Sequence, residues 1–167
     1  MALQLFEIAD TTVSSPVSVV TFLSIPQGYT DLILYASPRG TVAEDGFSVR
    51  INNDSATNYS FRQFNGNGSA VASTAGTTQN AIAGGRQPES GYTANAFGSN
   101  QFYFSDYTSN KFKSVLVEAV SENNATTVRT QLTAGLYPVT TAISRLDVFP
   151  GSGLFATNST FTLYGVL

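Results

Sequence analysis

Residues 101–120 read Gln101-Phe102-Tyr103-Phe104-Ser105-Asp106-Tyr107-Thr108-Ser109-Asn110-Lys111-Phe112-Lys113-Ser114-Val115-Leu116-Val117-Glu118-Ala119-Val120. Phe102 and Phe104 fall in one phase of a two-residue period, with Gln101, Tyr103 and Ser105 in the other. Asp106 to Asn110 has turn composition, and the period then resumes with Val115, Val117 and Ala119 as a second inner set. Glu118 falls in the opposite phase, as a solvated outer-face residue does. Strand, turn and strand in this form predict antiparallel sheet.

The same period extends in both directions. Glu122-Asn123-Asn124 predicts a further turn, after which Val128, Thr130 and Leu132 alternate with Arg129, Gln131 and Thr133 in a long strand stopped by Pro138. Leu146 and Val148 carry the penultimate strand and Pro150-Gly151-Ser152-Gly153 its turn. In the last strand Phe161 and Leu163 oppose Thr160, Thr162 and Tyr164. Upstream, Val17–Ser24 and Thr30–Ser37 are expected to pair as a hairpin across Ile25-Pro26-Gln27-Gly28, with Val20, Phe22, Leu32, Leu34 and Ala36 inward. Phe47, Val49 and Ile51 form the next inward set, ending at Asn52-Asn53-Asp54, residues that tolerate left-handed backbone, and Tyr59 and Phe61 begin another strand. About eight to ten strands, without an amphipathic helix, predict an all-β chain: a two-sheet antiparallel sandwich, jelly-roll-like, with an immunoglobulin-like topology as the alternative.

Two segments stand apart. Residues 1–16 are expected to be an N-terminal arm or an edge strand, with Leu3, Leu5, Phe6 and Ile8 as its candidate partner-contacting side chains, ahead of a sandwich domain over 17–167. Residues 65–99 form a Gly/Ser/Thr/Asn-rich excursion, expected to be loop with weak strands around 70–74 or 80–83, and a second candidate contact element.

Composition excludes much chemistry. The chain has neither cysteine nor histidine, which removes disulfides, thiolate nucleophiles, the usual zinc ligands and the ordinary near-neutral proton shuttle. Only 11% of its residues are charged and the net charge is -3, so no basic patch exists to bind nucleic acid by counterion release. No apolar run approaches the ~20 residues of a membrane-spanning helix, and no leader-like segment opens the chain, which predicts no membrane partner and no export. Gly66-Asn67-Gly68-Ser69 lacks the lysine and helix of a phosphate loop, and Pro150-Gly151-Ser152-Gly153 lacks the spacing of a serine elbow; both read as turns. The nearest acids in the C-terminal half, Asp106, Glu118 and Glu122, are scattered, and Asp45 with Asn52, Asn53 and Asp54 lacks the dense spacing of a calcium loop. The expectation is therefore no enzyme, no cofactor, no metal and no catalytic residue.

Aromatic residues are the remaining signal. The phenylalanines fall mostly in inner phases, but Tyr29, Tyr92, Tyr107 and Tyr137 sit at turns or strand ends, where a phenol can fill a protein interface or stack on a sugar. These four are the candidate partner or glycan contacts.

Ser121-Glu122-Asn123-Asn124-Ala125-Thr126, Gln131-Leu132-Thr133-Ala134-Gly135-Leu136-Tyr137 and Asn158-Ser159-Thr160-Phe161-Thr162-Leu163-Tyr164-Gly165 together resemble a β-sandwich module of tailed-bacteriophage structural proteins. Ser24-Ile25-Pro26-Gln27 with Thr30-Asp31-Leu32, and Asn58-Tyr59-Ser60, carry the same resemblance. These are fold-setting turns and strands rather than catalytic motifs. The resemblance implies a virion component assembled in the host cytoplasm: a capsid decoration (cement) protein that bridges capsomers, with the major capsid protein and its own copies, as a homotrimer, for partners. A carbohydrate-binding or host-recognition module of a head or tail fibre, contacting surface glycans, is the alternative.

Overall fold

A computed structural model describes residues 4–43, 45–122 and 129–167. They form twelve strands: β1 (Leu5–Thr12), β2 (Val20–Phe22), β3 (Asp31–Ser37), β4 (Gly46–Ile51), β5 (Tyr59–Gly66), β6 (Val71–Gln79), β7 (Ile82–Arg86), β8 (Ser99–Phe104), β9 (Lys113–Ser121), β10 (Arg129–Tyr137), β11 (Leu146–Pro150) and β12 (Thr160–Val166). They make two antiparallel sheets, one of eight strands in the order β1-β12-β3-β8-β9-β10-β5-β6 and one of four in the order β2-β11-β4-β7. The chain is all-β and the architecture is a two-sheet sandwich.

Its topology follows from four pairings. β1 pairs with β12, β2 with β11, β3 with β8 and β4 with β7, so the first four strands run antiparallel to the later ones as one long ribbon rolled across both sheets. That is the jelly roll. Two hairpins are inserted into it, β5–β6 between β4 and β7 and β9–β10 between β8 and β11, and both join the larger sheet beyond β8. The insertions raise the strand count above the eight to ten expected.

Side chains in the predicted inner phases fill the space between the sheets. Leu32, Leu34, Phe47, Val49, Ile51, Phe102, Phe104, Val117, Leu146, Val148, Phe161 and Leu163 are all buried. Phe47 leans on Phe102 at 5.6 Å and meets Phe155 edge-on at 5.9 Å, and Phe155 sits 4.8 Å from Phe161, which joins the two sheets through aromatic contacts. The turn after β4 uses left-handed backbone at Asn52 and Asn53. Asn52 also fixes the neighbouring connection, accepting from the Ser144 amide at 2.9 Å and donating to the Ala142 carbonyl at 2.9 Å.

Two expectations are corrected, and one pair of alternatives is decided. The hairpin expected from 17–24 and 30–37 does not form, because β2 joins β11 in the small sheet while β3 lies between β12 and β8 in the large one. Ile25 is buried as the chain passes from one sheet to the other, and a turn signal marks a change of direction without saying which sheet receives the chain. Residues 65–99 are loop only in part: they hold the end of β5, all of β6 and β7, which fall where the weak strands were expected, and the first residue of β8, while 67–70 and 87–98 lie outside the strands. Of the readings arm and edge strand, Leu5–Thr12 form the edge strand β1, with a bulge between Glu7 and Ala9. Leu5 and Phe6 remain exposed there, Ile8 packs against the core, and Leu3 lies outside the described residues. The turn expected at Glu122-Asn123-Asn124 and the phase of Val128 lie largely outside them too.

Candidate interaction face

The inserted hairpins carry an unusual inversion. In β10 the buried phase is Gln131, Thr133, Gly135 and Tyr137, while Thr130, Leu132, Ala134 and Leu136 face away from the core. A polar inner phase is stable only when every group is hydrogen-bonded. The Gln131 side-chain carbonyl accepts from Arg86 Nε at 2.8 Å and also from Arg86 Nη2, and its amide donates to the Gly84 carbonyl at 2.9 Å. Arg86 Nη1 reaches Asp45 at 2.7 Å, and the other oxygen of Asp45 accepts from Arg129 Nε at 2.9 Å. Asn100 closes the cluster by accepting from the Arg86 amide and donating to the Ala36 and Arg86 carbonyls. Gly84 has φ of 153°, and a side chain there would press on Thr133 and Val117. The backbone of β7 thus approaches β10 closely enough for Gln131 to reach it.

Because the polar phase points inward, the apolar phase points out. Register places the outward residues in rows across the large sheet. Ser73, Phe64, Leu132, Glu118, Gln101 and Tyr35 are neighbours strand by strand, flanked by a row through Val71, Gly66, Thr130 and Val120 and another through Arg62, Ala134 and Leu116. Val71 is 79% exposed, Phe64 54%, Leu116 41% and Val120 38%. Between Val71, Phe64, Leu132 and Val120 lies an open depression of about 520 Å³, and a second of about 250 Å³ adjoins it across Phe64 and Leu132. Glu118 and Arg62 are the charged side chains lining the two. Single exposed apolar residues such as Leu23 and Phe112 are ordinary on a protein surface; this strip differs from them in running contiguously across neighbouring strands.

The predicted site residues fare differently. Tyr107 is fully buried and its hydroxyl donates to the Pro26 carbonyl. Tyr137 is buried too, stacked on Tyr59 at 4.7 Å with its hydroxyl 3.0 Å from Asp54. Neither can meet a glycan or a partner; turn composition placed them at strand ends but not on the outside, and their phenols serve as interior hydrogen-bond donors. Burial first, then the hydrogen bond and charge of Asp54, push the Tyr137 phenol up to about 12. Tyr29 is half-buried, stacked on Phe6 at 5.8 Å and covering Gly165. Tyr92 is half-buried, its phenol raised by burial and then by Glu89. The structure does not gather the four tyrosines into one surface. Sequence reasoning singled out none of Leu132, Leu116 and Phe64, and the signal that could have found the outer strip is the polar phase Arg129-Gln131-Thr133, which needs partners if it is inside.

The aspartates are individually engaged. Asp31 accepts from the Tyr103 hydroxyl and the Asp106 amide, Asp147 from Arg145 and Thr21, and Asp106 from Lys111. Glu118 is exposed on the outer face. Among the described residues there is no group of three His, Cys, Asp or Glu placed to hold a metal ion, and no helix is long and apolar enough to cross a membrane.

No protein-family model and no curated protein matches the chain. Among solved structures it is similar to the crystal structure of the Caenorhabditis elegans galectin LEC-6, at 11% identity and a TM-score of 0.35 over 95% of each chain.

Proposed function

We propose that this chain is a non-enzymatic structural protein of a tailed-phage virion, a decoration protein that binds across capsomer junctions and associates with its own copies. The observation that carries this reading is the contiguous apolar strip of Phe64, Val71, Leu116, Val120 and Leu132 on the outer face of the eight-stranded sheet. Such a face suits contact with another protein surface, and it lies on the two hairpins added to the jelly-roll frame. Low charge and the absence of cysteine suit a particle component that leaves the cell. Several equivalent contacts engaged at once multiply a weak single contact by ~10²-fold or more, which stabilises a shell without any catalytic step. The carbohydrate-binding alternative keeps only Tyr29 and Tyr92 of its four tyrosines.

Imaging of purified particles carrying a tagged copy of this chain tests the proposal. Density for the sandwich at capsomer junctions, reduced when Phe64 and Leu132 are both changed to Ser in a folded protein, is the expected result. Particles that lack the chain altogether would overturn it.

A further inference from the structure

The sandwich has four sheet edges, and an unpaired edge is a template for another strand unless something blunts it. Three are blunted. β2 is three residues long. β1 carries Glu7 and Asp10 and is interrupted by its bulge. β7 is bulged opposite β4 between Phe47 and Ser48 and lies over β9 and β10. β6 differs: its nine residues, Val71-Ala72-Ser73-Thr74-Ala75-Gly76-Thr77-Thr78-Gln79, include no charge and no proline, and its one irregularity, with left-handed backbone at Thr78, is confined to the end beyond Gly76. Val71 to Gly76 pair with β5 in unbroken register, and among the described residues no strand occupies the far side of β6. Both of its faces are also open, for Val71 to Ala75 are all exposed.

From this we propose that β6 is a self-pairing edge: two copies join β6 to β6, antiparallel about a two-fold axis perpendicular to the sheet, into one sixteen-stranded sheet. The occupant is a second copy because the edge is complementary to itself. A two-fold contact sets each residue against its own strand, so a charged edge such as β1 repels its copy whereas uncharged β6 does not. Geometry narrows the register. Residues directly opposite in an antiparallel pair point to the same face, so keeping both apolar faces on one side requires a residue, not a peptide bond, on the axis. With Ser73 there, Val71 stands opposite Ala75 of the second copy, and the row Leu132-Phe64-Ser73 continues into its image. The two Phe64 rings are then three strand spacings apart, ~14 Å, which joins the two outer strips into one face.

The magnitude keeps this contact weak. With Ser73 on the axis the five residues Val71 to Ala75 lie opposite their counterparts, and at ~3.4 Å each in a sheet ~10 Å thick they give an edge of ~170 Å² per copy, ~340 Å² in all. That is below the ~1,200 Å² at the lower end of stable interfaces, so the pair forms by mass action or when copies are held close on a surface. The inference stands independently of the virion reading.

The cysteine-free chain makes the test clean. Opposed Cα atoms at ~4.5–5.5 Å fall inside the ~4.4–6.8 Å span of a disulfide, so Ser73→Cys crosslinks to its own copy under mild oxidation. The expected rate is at least ten times that of Ser114→Cys, an exposed residue on the same face, and Thr74→Lys added to Ser73→Cys returns it to the control level. Sedimentation of the unmodified protein shows a monomer–dimer equilibrium shifted toward monomer by Thr74→Lys, with an unchanged circular dichroism spectrum. Equal crosslinking rates at the two positions, a monomer at every concentration, or a trimer indifferent to Thr74→Lys would each overturn the proposal.

Discussion

Replacing Gln131 by Leu tests whether the polar interior under the inserted hairpins is held by its hydrogen bonds. The substitution keeps roughly the same volume but removes the acceptor that Arg86 Nε and Nη2 share and the donor that serves the Gly84 carbonyl. A hydrogen bond to a charged group contributes about 1.5–3 kcal/mol, and a buried carbonyl left without a donor costs about 1–3 kcal/mol. Set against about 1 kcal/mol gained by burying an apolar side chain, the net loss is about 3 kcal/mol. With an m-value of about 2 kcal/mol/M, the urea midpoint falls by about 1.5 M at unchanged slope. The companion variant removes the charge as well. Arg86→Leu together with Gln131→Leu leaves Asp45 paired with Arg129 and takes the guanidinium out of the interior, so the double variant recovers about 1–3 kcal/mol relative to the sum of the two single changes. Urea unfolding followed by far-ultraviolet circular dichroism measures all three. A Gln131→Leu midpoint within 0.3 M of the parent, or additive single and double changes, would refute the view that the polar phase is inward because it is bonded there.

Other outcomes follow from single contacts. Gly165→Ala drives a methyl group into the Tyr29 ring and lowers stability by about 1–3 kcal/mol, read as a lower thermal midpoint; an unchanged midpoint removes Tyr29 as a lid over β12. Removing residues 1–12 strips β1 from β12 and leaves a bare edge, so the shortened protein unfolds at lower denaturant and aggregates more readily on light scattering; unaltered unfolding would mean that the strand is an arm after all. The Tyr103 and Tyr137 phenols are both raised to about 12, the first mainly by its hydrogen bond to Asp31 and the second mainly by burial. The folded state therefore favours the protonated phenol. This stabilisation is intact below the unfolded value near 10 and is lost as pH rises from there toward 12. Phenolate absorbance of the folded protein should show late-titrating tyrosines, and the urea midpoint should decline above pH 10; all eight tyrosines titrating together near 10 would contradict both.

Alternation made much of the fold legible. Phe47-Val49-Ile51, Phe102-Phe104, Val115-Val117 and Phe161-Leu163 each face inward because a two-residue period with one apolar phase has a single low-energy orientation between two sheets. Pairing was not legible, since the ribbon that makes the jelly roll brings together segments such as β1 and β12 that lie about 150 residues apart, and no local signal records a distant partner. The site was hardest to read. Val71-Ala72-Ser73-Thr74-Ala75 has loop composition because a strand exposed on both faces needs no apolar phase, and Leu132 reads as core wherever apolar is taken to mean inside.

The unequal sheets account for both features of the hairpin region. Four strands cannot cover eight, so β7, with Gly84 and Gly85 in its short run, is the last layer over β9, β10 and β5. Glycines supply little apolar surface, and beyond the packing of Ile82 on Gly135 what lies between β7 and β10 is bonded: Arg86, Gln131 and Thr133 fill it, with Asn100 of β8 beside them. Once Gln131 and Thr133 occupy the inner phase of β10, the period of two sends Leu132 to the outer one, beside Leu116 and Val120 of β9 and Phe64 of β5. Moving Leu132 inward would require a one-residue slip of β10 against β9 and β5 that breaks both bonds from Arg86 to Gln131, so the polar cluster holds Leu132 outside. The same variant can therefore separate the two roles: if Phe64→Ser with Leu132→Ser abolishes association while leaving the urea midpoint within about 1 kcal/mol of the parent, the strip contributes to binding and not to folding. A collapse of the midpoint would instead place these side chains in the protein's own core and remove the interaction face.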